Sequence, residues 1–212
     1  FIEFQNLSGQ SILMMERAPG ITLEQLSNLR GRLEPRLILI IASQMAAILL
    51  YLRQHADNPS GCLVVHGDIK PSNIIFDPDS ETVSLIDWGA AVFSQLNISG
   101  ERIDGLGLAA IDSDFSATNA KLGDIYFIGD DQLQGDLSSP RFDEQGLAGT
   151  LYALASGQGS RFGKDVITPD SLGLPVELAK TLSALLDRDP ETRRRAGDYF
   201  LDNMQYMKRI VS

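Results

Sequence analysis

Two aspartates, an asparagine and a lysine lie close together in the sequence, and these residue types suit phosphoryl transfer. Asp68, Lys70 and Asn73 share one short stretch, and Asp87 follows after a predicted turn. Carboxylate and amide oxygens are ligands that a hard cation such as Mg²⁺ prefers, and a lysine ammonium binds phosphate as a point charge. The group therefore predicts a site that holds Mg²⁺ and transfers a phosphoryl group.

A predicted β-hairpin positions these residues. Residues 73–76 and 82–86 are short apolar runs with strand character, and the turn formers of residues 77–81 separate them. Pairing the two runs returns Asp87 to the end of the ladder where Asn73 lies. An ordinary surface turn is the alternative interpretation, but the ordered combination of residues favours a functional site.

Two short motifs resemble those of the eukaryotic-like protein kinases. Residues 66–73, HGDIKPSN, resemble the kinase catalytic loop, and the triplet Asp87-Trp88-Gly89 resembles the Asp-Phe-Gly motif that binds magnesium. Three further segments resemble kinase landmarks in the same order: residues 12–20 the hinge, 143–157 the buried helix after the activation segment, and 185–193 the late Asp-Pro-x-x-Arg signature. Together the landmarks cover nearly the whole chain.

The resemblance implies an α+β, mainly α fold, namely a protein-kinase-like C-terminal lobe with a hinge and a small β-hairpin. Residues 1–20 would form the end of the N-lobe sheet and the hinge, and residues 21–212 the C-lobe. The catalytic loop would span residues 66–73 and the activation segment residues 87–131. Helices are predicted at residues 22–29, 35–55, 144–155, 175–186 and 192–210 from their apolar periodicity and end signals.

The resemblance also implies a role for each candidate residue. Asp68 would be the catalytic base that orients the acceptor hydroxyl, and Lys70 would stabilise charge on the transferring phosphoryl group. Asn73 and Asp87 would bind Mg²⁺. The expected contacts to ATP come from the hinge and the start of the first helix, at Met15 as gatekeeper and at Glu16, Ala18 and Thr22.

Supporting contacts follow from the same resemblance. His66 is expected to pack against Trp88, and Asp143 is expected to accept backbone N–H bonds from the catalytic loop. Asp131 and Arg193 would form a buried ion pair, and breaking such a pair costs about 3–5 kcal/mol.

Two positions depart from the family pattern. Gly67 replaces the arginine that in many kinases contacts a phosphorylated activation loop, so control by that route is not expected. Asp124 stands where Ser/Thr kinases keep a threonine. A carboxylate there would compete with Asp68 for Lys70 or raise the pKa of a neighbouring group.

The expected function is transfer of the γ-phosphoryl of ATP to a protein hydroxyl by a Ser/Thr protein kinase. The His-Gly-Asp and Ile-Asp-Trp triplets also resemble aminoglycoside and choline kinases, which phosphorylate small molecules. Lys70 and the late Asp-Pro-x-x-Arg favour the protein kinase. A pseudokinase that only binds partners is a third interpretation, and the intact Asp68, Asn73 and Asp87 argue against it.

Some kinase features are not found before the hinge. The segment lacks a Gly-x-Gly-x-x-Gly loop and a Val-Ala-x-Lys strand. We therefore expect the N-lobe to come from upstream sequence, and the isolated chain to be inactive without it.

The composition limits partners and compartment. A net charge of −10 argues against nucleic acid or an anionic membrane as a partner. One cysteine, Cys62, cannot form an internal disulfide, which favours a reducing compartment and a cytoplasmic location. The apolar stretch from Leu37 to Leu52 is short for a membrane span and predicts a core helix instead.

Overall fold

An antiparallel hairpin opens the chain in this computed structural model, which describes residues 3–7, 10–54, 63–103 and 123–207. Strand β1 (Glu3–Leu7) pairs with β2 (Gln10–Met14), and Leu7 lies opposite Gln10. These two strands form a two-stranded sheet of their own.

Helix α1 (Leu23–Arg30) begins with a capping box after the short strand β3 (Ile21–Thr22). The Thr22 hydroxyl accepts the Gln25 N–H at 3.1 Å, and the Gln25 side-chain oxygen accepts the Thr22 N–H at 3.0 Å. These bonds satisfy two donors that a helix start leaves without intrahelical partners. Thr22 is therefore the N-cap of α1, at the start of the helix predicted for residues 22–29.

Helix α2 (Pro35–Gln54) is the apolar helix predicted for the core. Ile38, Ile41 and Met45 are fully buried, and the helix packs against the two longest helices that follow it. Among the described residues, α2 alone is long and apolar enough to cross a membrane, with a hydropathy of 1.8, and half of that stretch is buried inside the fold. A core helix has the same properties, and the burial favours that interpretation.

Short strands surround the predicted catalytic stretch. Strand β5 (Ile74–Asp77) lies between β3 and β6 (Thr82–Leu85) in an antiparallel three-stranded sheet. Strand β4 (Val64–Val65) pairs with β7 (Val92–Phe93) on the other side of the catalytic loop. Both sheets thus hold the residues on either side of the loop.

The rest of the described chain is helical. The helices are α3 (Asp130–Gln134), α4 (Arg141–Ser156), α5 (Val176–Leu185) and α6 (Pro190–Met207). Helix α4 begins three residues before its predicted start, and α6 begins two residues before its own. The start of α6 is fixed by Asp189, whose carboxylate accepts the Thr192 N–H at 2.9 Å.

Helix α4 forms the centre of the fold, because every residue from Phe142 to Ala155 is buried. Gly149 allows one loop to approach this helix closely: a Cβ there would stand 2.6 Å from the Phe127 carbonyl oxygen. Such a distance is too short for a side chain, so the glycine lets the segment before α3 lie directly on α4.

The helical body with small sheets is the predicted α+β, mainly α architecture. The predicted division at residue 20 stays a prediction. Residues 104–122 of the predicted activation segment lie outside the described residues.

Candidate active site

The β5–β6 hairpin brings the predicted site residues to one end of the ladder. Ile74 pairs with Leu85, and the Ile86 N–H donates to the Asn73 carbonyl at 2.9 Å. Asp87 follows directly, so it lies at the Asn73 end as the sequence predicted.

Asp68 is held on both carboxylate oxygens. Its side chain is 10% exposed; Oδ2 accepts the Asn73 amide Nδ2 at 3.0 Å and lies 2.8 Å from the Lys70 ammonium. Oδ1 accepts the Asp124 backbone N–H at 2.9 Å. A carboxylate offers about four acceptor positions. Within the described residues, one position on Oδ1 therefore stays available for an acceptor hydroxyl.

Lys70 lies among carboxylates. Partial burial lowers the pKa of its ammonium, but the hydrogen bond and charge of Asp68 outweigh this, with help from Asp124 and Asp87, and the pKa is raised. Lys70 is therefore a full cation at neutral pH, with its side chain 24% exposed. A cation next to the carboxylate of a base is suited to neutralising charge on a group in transfer.

Asn73 and Asp87 present the oxygens expected of magnesium ligands. The Asn73 Nδ2 donates to the Asp68 backbone oxygen at 2.9 Å as well as to its carboxylate, so the amide oxygen faces away from Asp68. Asp87 is exposed and takes a left-handed conformation with φ 61° and ψ 75°, and its Oδ1 accepts the Gly89 N–H at 3.3 Å. Two hard oxygen donors at one strand end fit Mg²⁺.

His66 is a structural residue, as expected. Its buried ring lies 4.8 Å from the Trp88 ring at 65°, an edge-to-face contact. The ring Nδ1 accepts the Asp68 N–H at 3.3 Å, which leaves Nε2 to donate to the Ile86 carbonyl at 3.0 Å. His66 thus ties the catalytic loop to the strand end that carries Asp87.

Asp143 anchors the loop from helix α4. Its two carboxylate oxygens accept the backbone N–H groups of His66 and Gly67, both at 2.8 Å. Gly67 has a φ of +78°, a conformation that side chains rarely adopt. The glycine in place of the family's arginine therefore also relieves backbone strain here, a reason that the motif alone did not reveal.

Two supporting residues were not predicted from the sequence. Gln132 is buried and its Nε2 donates to the Gly67 carbonyl at 2.7 Å, and the Thr150 hydroxyl donates to the Ile69 carbonyl at 3.2 Å. Both satisfy carbonyls of the catalytic loop. Gln132 lies outside the motifs, and Thr150 lies in the segment 143–157 that resembles a kinase helix, but nothing local in the sequence marked either residue as a partner of the loop.

Asp124 lies where the resemblance placed it. Its Oδ2 stands 4.0 Å from the Lys70 ammonium, so two carboxylates share this cation. The expected competition for Lys70 therefore has a geometric basis, and Asp68 has the closer contact.

The ion pair between Asp131 and Arg193 is present, with Nη2 and Oδ1 2.5 Å apart. Arg193 is buried, but the Asp131 side chain is 28% exposed. The predicted pair is thus present and buried at Arg193, whereas Asp131, at the start of α3, is half-buried.

The residues expected to contact ATP lie on a separate segment. Met15 is 59% exposed, Glu16 is exposed and Ala18 is half-buried. The side-chain oxygen of Thr22 caps α1. The sheet links this segment to the site, because Ile21 pairs with Phe76. Their contacts to a nucleotide stay predictions.

Known proteins resemble this chain over most of its length. A probable serine/threonine-protein kinase of Clostridium acetobutylicum is 25% identical over 92% of the chain and 28% of its own length. Serine/threonine-protein kinase PrkC of Bacillus subtilis is 26% identical over 69% of the chain and 19% of its own length. PknB of Mycobacterium tuberculosis is 23% identical over 85% of the chain and 28% of its own length. The chain thus spans less than a third of each of these relatives.

The family described as "Protein kinase domain" matches residues 1–159. This range contains the hinge segment, the catalytic loop and helix α4, and the side chains of α4 hold the backbone of the catalytic loop. The late Asp-Pro-x-x-Arg signature lies beyond the matched range, yet its Arg193 contacts Asp131 inside it. By this match, and by the geometry that agrees with it, the chain belongs to the protein kinase domain family.

Proposed function

We propose that the protein carrying this chain is an ATP- and Mg²⁺-dependent Ser/Thr protein kinase that uses Asp68 as its base. The observation that carries the proposal is the hydrogen bonding of Asp68. In the part of the chain that the structure describes, three donors fix its carboxylate and leave one acceptor position on Oδ1. A hydroxyl that donates to this position would be oriented for attack and could pass its proton to the carboxylate.

Lys70 and the two oxygen ligands supply the rest of the proposed chemistry. The Lys70 ammonium would move partly away from Asp68 and contact the transferring phosphoryl group. Asn73 and Asp87 would hold Mg²⁺ through their side-chain oxygens. Bound Mg²⁺ neutralises charge on the phosphates of ATP. Asp68 itself works mainly by position, since an aspartate is a weak base.

The nucleotide side of the site is also a proposal. Glu16 and Ala18 would offer backbone groups to the adenine, next to Met15 and Thr22. We further propose that an N-lobe from upstream sequence covers the phosphates, in line with the greater length of the named relatives. The substrate is proposed to be a protein hydroxyl, and the cytoplasm stays the predicted location.

The small-molecule kinase is not favoured, because the named relatives are serine/threonine-protein kinases. A pseudokinase is not favoured either, since Asp68, Lys70 and Asn73 form one hydrogen-bonded group.

The test is phosphoryl transfer from labelled ATP with Mg²⁺ by the full protein, with generic protein substrates, the protein itself, and choline and an aminoglycoside as acceptors. We expect transfer to protein only, and a loss of about 10²–10⁴-fold in Asp68→Ala. The matched control is Asp79→Asn, an exposed aspartate in the β5–β6 turn, which should keep wild-type activity. Full activity in Asp68→Ala, or transfer to a small molecule alone, would overturn the proposal.

A further inference from the structure

We propose that Asp124 is a specificity-determining residue that selects acceptor segments with a lysine or arginine beside the target hydroxyl. This inference rests on the proposed kinase function and adds a substrate class to it. Its basis is the position of the Asp124 carboxylate relative to the open acceptor position on Asp68.

The acceptor hydroxyl would lie next to Asp124. The open position on Asp68 is on Oδ1, and this same oxygen accepts the Asp124 backbone N–H at 2.9 Å. Because both partners share one oxygen atom, a hydroxyl bound there is a close neighbour of residue 124. The residues that flank the hydroxyl in a peptide would then pass the Asp124 side chain.

Lys70 balances the negative charge of the Asp124 carboxylate only in part. Its Oδ1 accepts the Tyr126 N–H at 3.0 Å, which fixes the side chain, while its Oδ2 is 4.0 Å from Lys70. Lys70 is closer to Asp68, at 2.8 Å. The one lysine therefore serves two carboxylates, and the local sum of charge is negative.

The surroundings leave this charge open to a peptide. The Asp124 side chain is 30% exposed, and the next two residues, Ile125 and Tyr126, are exposed and uncharged. The backbone N–H of Arg161 donates to the Tyr126 carbonyl at 3.0 Å, and the Arg161 guanidinium pairs with Asp130 at 2.7 Å. Its charge is thus already balanced by another carboxylate.

A basic side chain beside the hydroxyl is the partner that this charge fits. A carboxylate at the surface attracts a nearby cation and repels a nearby anion, and salt screens both effects. The threonine that Ser/Thr kinases keep at this position carries no charge and would not discriminate in this way.

The test compares peptide substrates in the full protein. Three peptides share one sequence around a threonine, and the two residues that flank it are both Lys, both Gln or both Glu. We expect the Lys peptide to exceed the Glu peptide in kcat/KM by about tenfold or more, a ratio that corresponds to about 1.4 kcal/mol. The difference should lie mainly in KM and should shrink at high salt.

The variant Asp124→Asn removes the charge and keeps an oxygen for the Tyr126 N–H. It should bring the Lys-to-Glu ratio of kcat/KM close to one. Asp170→Asn is the matched control, an exposed aspartate before helix α5, and should keep the wild-type ratio. Peptide binding measured by fluorescence anisotropy, without ATP, should show the same order of preference.

The peptide ratios and the transfer assay give separate results for the selectivity of Asp124 and for the kinase function. An unchanged ratio in Asp124→Asn, or a wild-type ratio near one, overturns the inference while the kinase function stands. Absence of transfer from ATP to any protein or peptide overturns both. Melting curves check that Asp124→Asn is folded, and Asp124→Thr provides the same charge removal with the residue usual for the family.

Discussion

The Asp143 carboxylate accepts the backbone N–H of His66 at 2.8 Å, although 77 positions of sequence separate the two residues. Asp143 is fully enclosed by the fold, and its second oxygen accepts the Gly67 N–H. Burial raises the pKa of the Asp143 carboxyl, and the N–H bonds from Gly67 and His66 oppose that shift. The central helix thus fixes the backbone that leads into Asp68.

Asp143→Asn should lower both stability and transfer. An asparagine offers one oxygen for two N–H donors, so one buried donor loses its partner, at about 1–3 kcal/mol of unfolding free energy. Because the loop that carries Asp68 would shift, kcat should fall as well. Urea unfolding and the transfer assay on the full protein measure the two effects.

The control for this variant is Asp165→Asn, since the Asp165 side chain is 73% exposed. Its unfolding free energy should change by less than about 0.5 kcal/mol. Equal losses in the two variants would contradict the anchoring role of Asp143.

Arg193→Ala should destabilise the protein by about 1.5–3 kcal/mol, the range for hydrogen bonds to charged groups. The guanidinium contacts Asp131 and donates to the carbonyls of Asp187 and Arg188 at 2.8 and 2.7 Å. The loss should be smaller than for a fully buried pair, because water can reach Asp131 once its partner is removed. Denaturant unfolding gives the value.

Arg188→Ala is the matched arginine control, with a side chain that is 86% exposed. We expect a change within about 0.5 kcal/mol. A double-mutant cycle of Arg193→Ala with Asp131→Asn should show a coupling of at least about 0.5 kcal/mol. Additive effects would mean that the pair does not join helix α3 to helix α6.

Glu191 should make stability depend on pH in acid. Hydrogen bonds from Arg194 and from Arg195, with their charges, lower the pKa of this carboxyl from 4.5 to about 2. Because the pKa of Glu191 is lower in the folded state than in the unfolded state, the Glu191 carboxylate stabilises the fold. This contribution to the unfolding free energy is complete above about pH 4.5 and is lost as the pH falls through about 2. The difference in unfolding free energy between wild type and Glu191→Gln should therefore shrink from pH 5 to pH 2.

Denaturant unfolding at a series of pH values tests this dependence, and high salt should weaken it because Glu191 is on the surface. Glu24→Gln is the control, a first-turn glutamate on α1 for which the described residues show no ion pair. A constant difference between wild type and Glu191→Gln over this pH range would contradict the prediction.

Local patterns explain most of what was predicted correctly. The capping box at Thr22 and the turn formers between β5 and β6 act over a few residues, so the sequence contains the whole cause. The roles expected of His66, Asp143 and Asp131 came from a family resemblance, and the contacts confirm them. The nucleotide contacts of Met15, Glu16, Ala18 and Thr22 stay predictions.

Other features could not be predicted because they depend on packing between distant segments. Gln132 and Thr150 contact the catalytic loop only because α3 and α4 lie against it. The exposure of Asp131 depends on where α3 meets water. The positive φ of Gly67 belongs to a loop backbone that Asp143 holds from helix α4.

By itself, the sequence determined the residue types of the site, their order and the hairpin that joins Asn73 to Asp87, because turn chemistry and strand alternation act locally. The tertiary structure decided which oxygen of Asp68 stays open and how closely Asp124 and Lys70 approach it. The Lys70 ammonium lies 2.8 Å from the Asp68 carboxylate and 4.0 Å from the Asp124 carboxylate, so two carboxylates share this cation. The approach of Asp124 depends on the fold, because this residue lies 56 positions from Asp68 in the sequence and reaches it only when the two segments pack together.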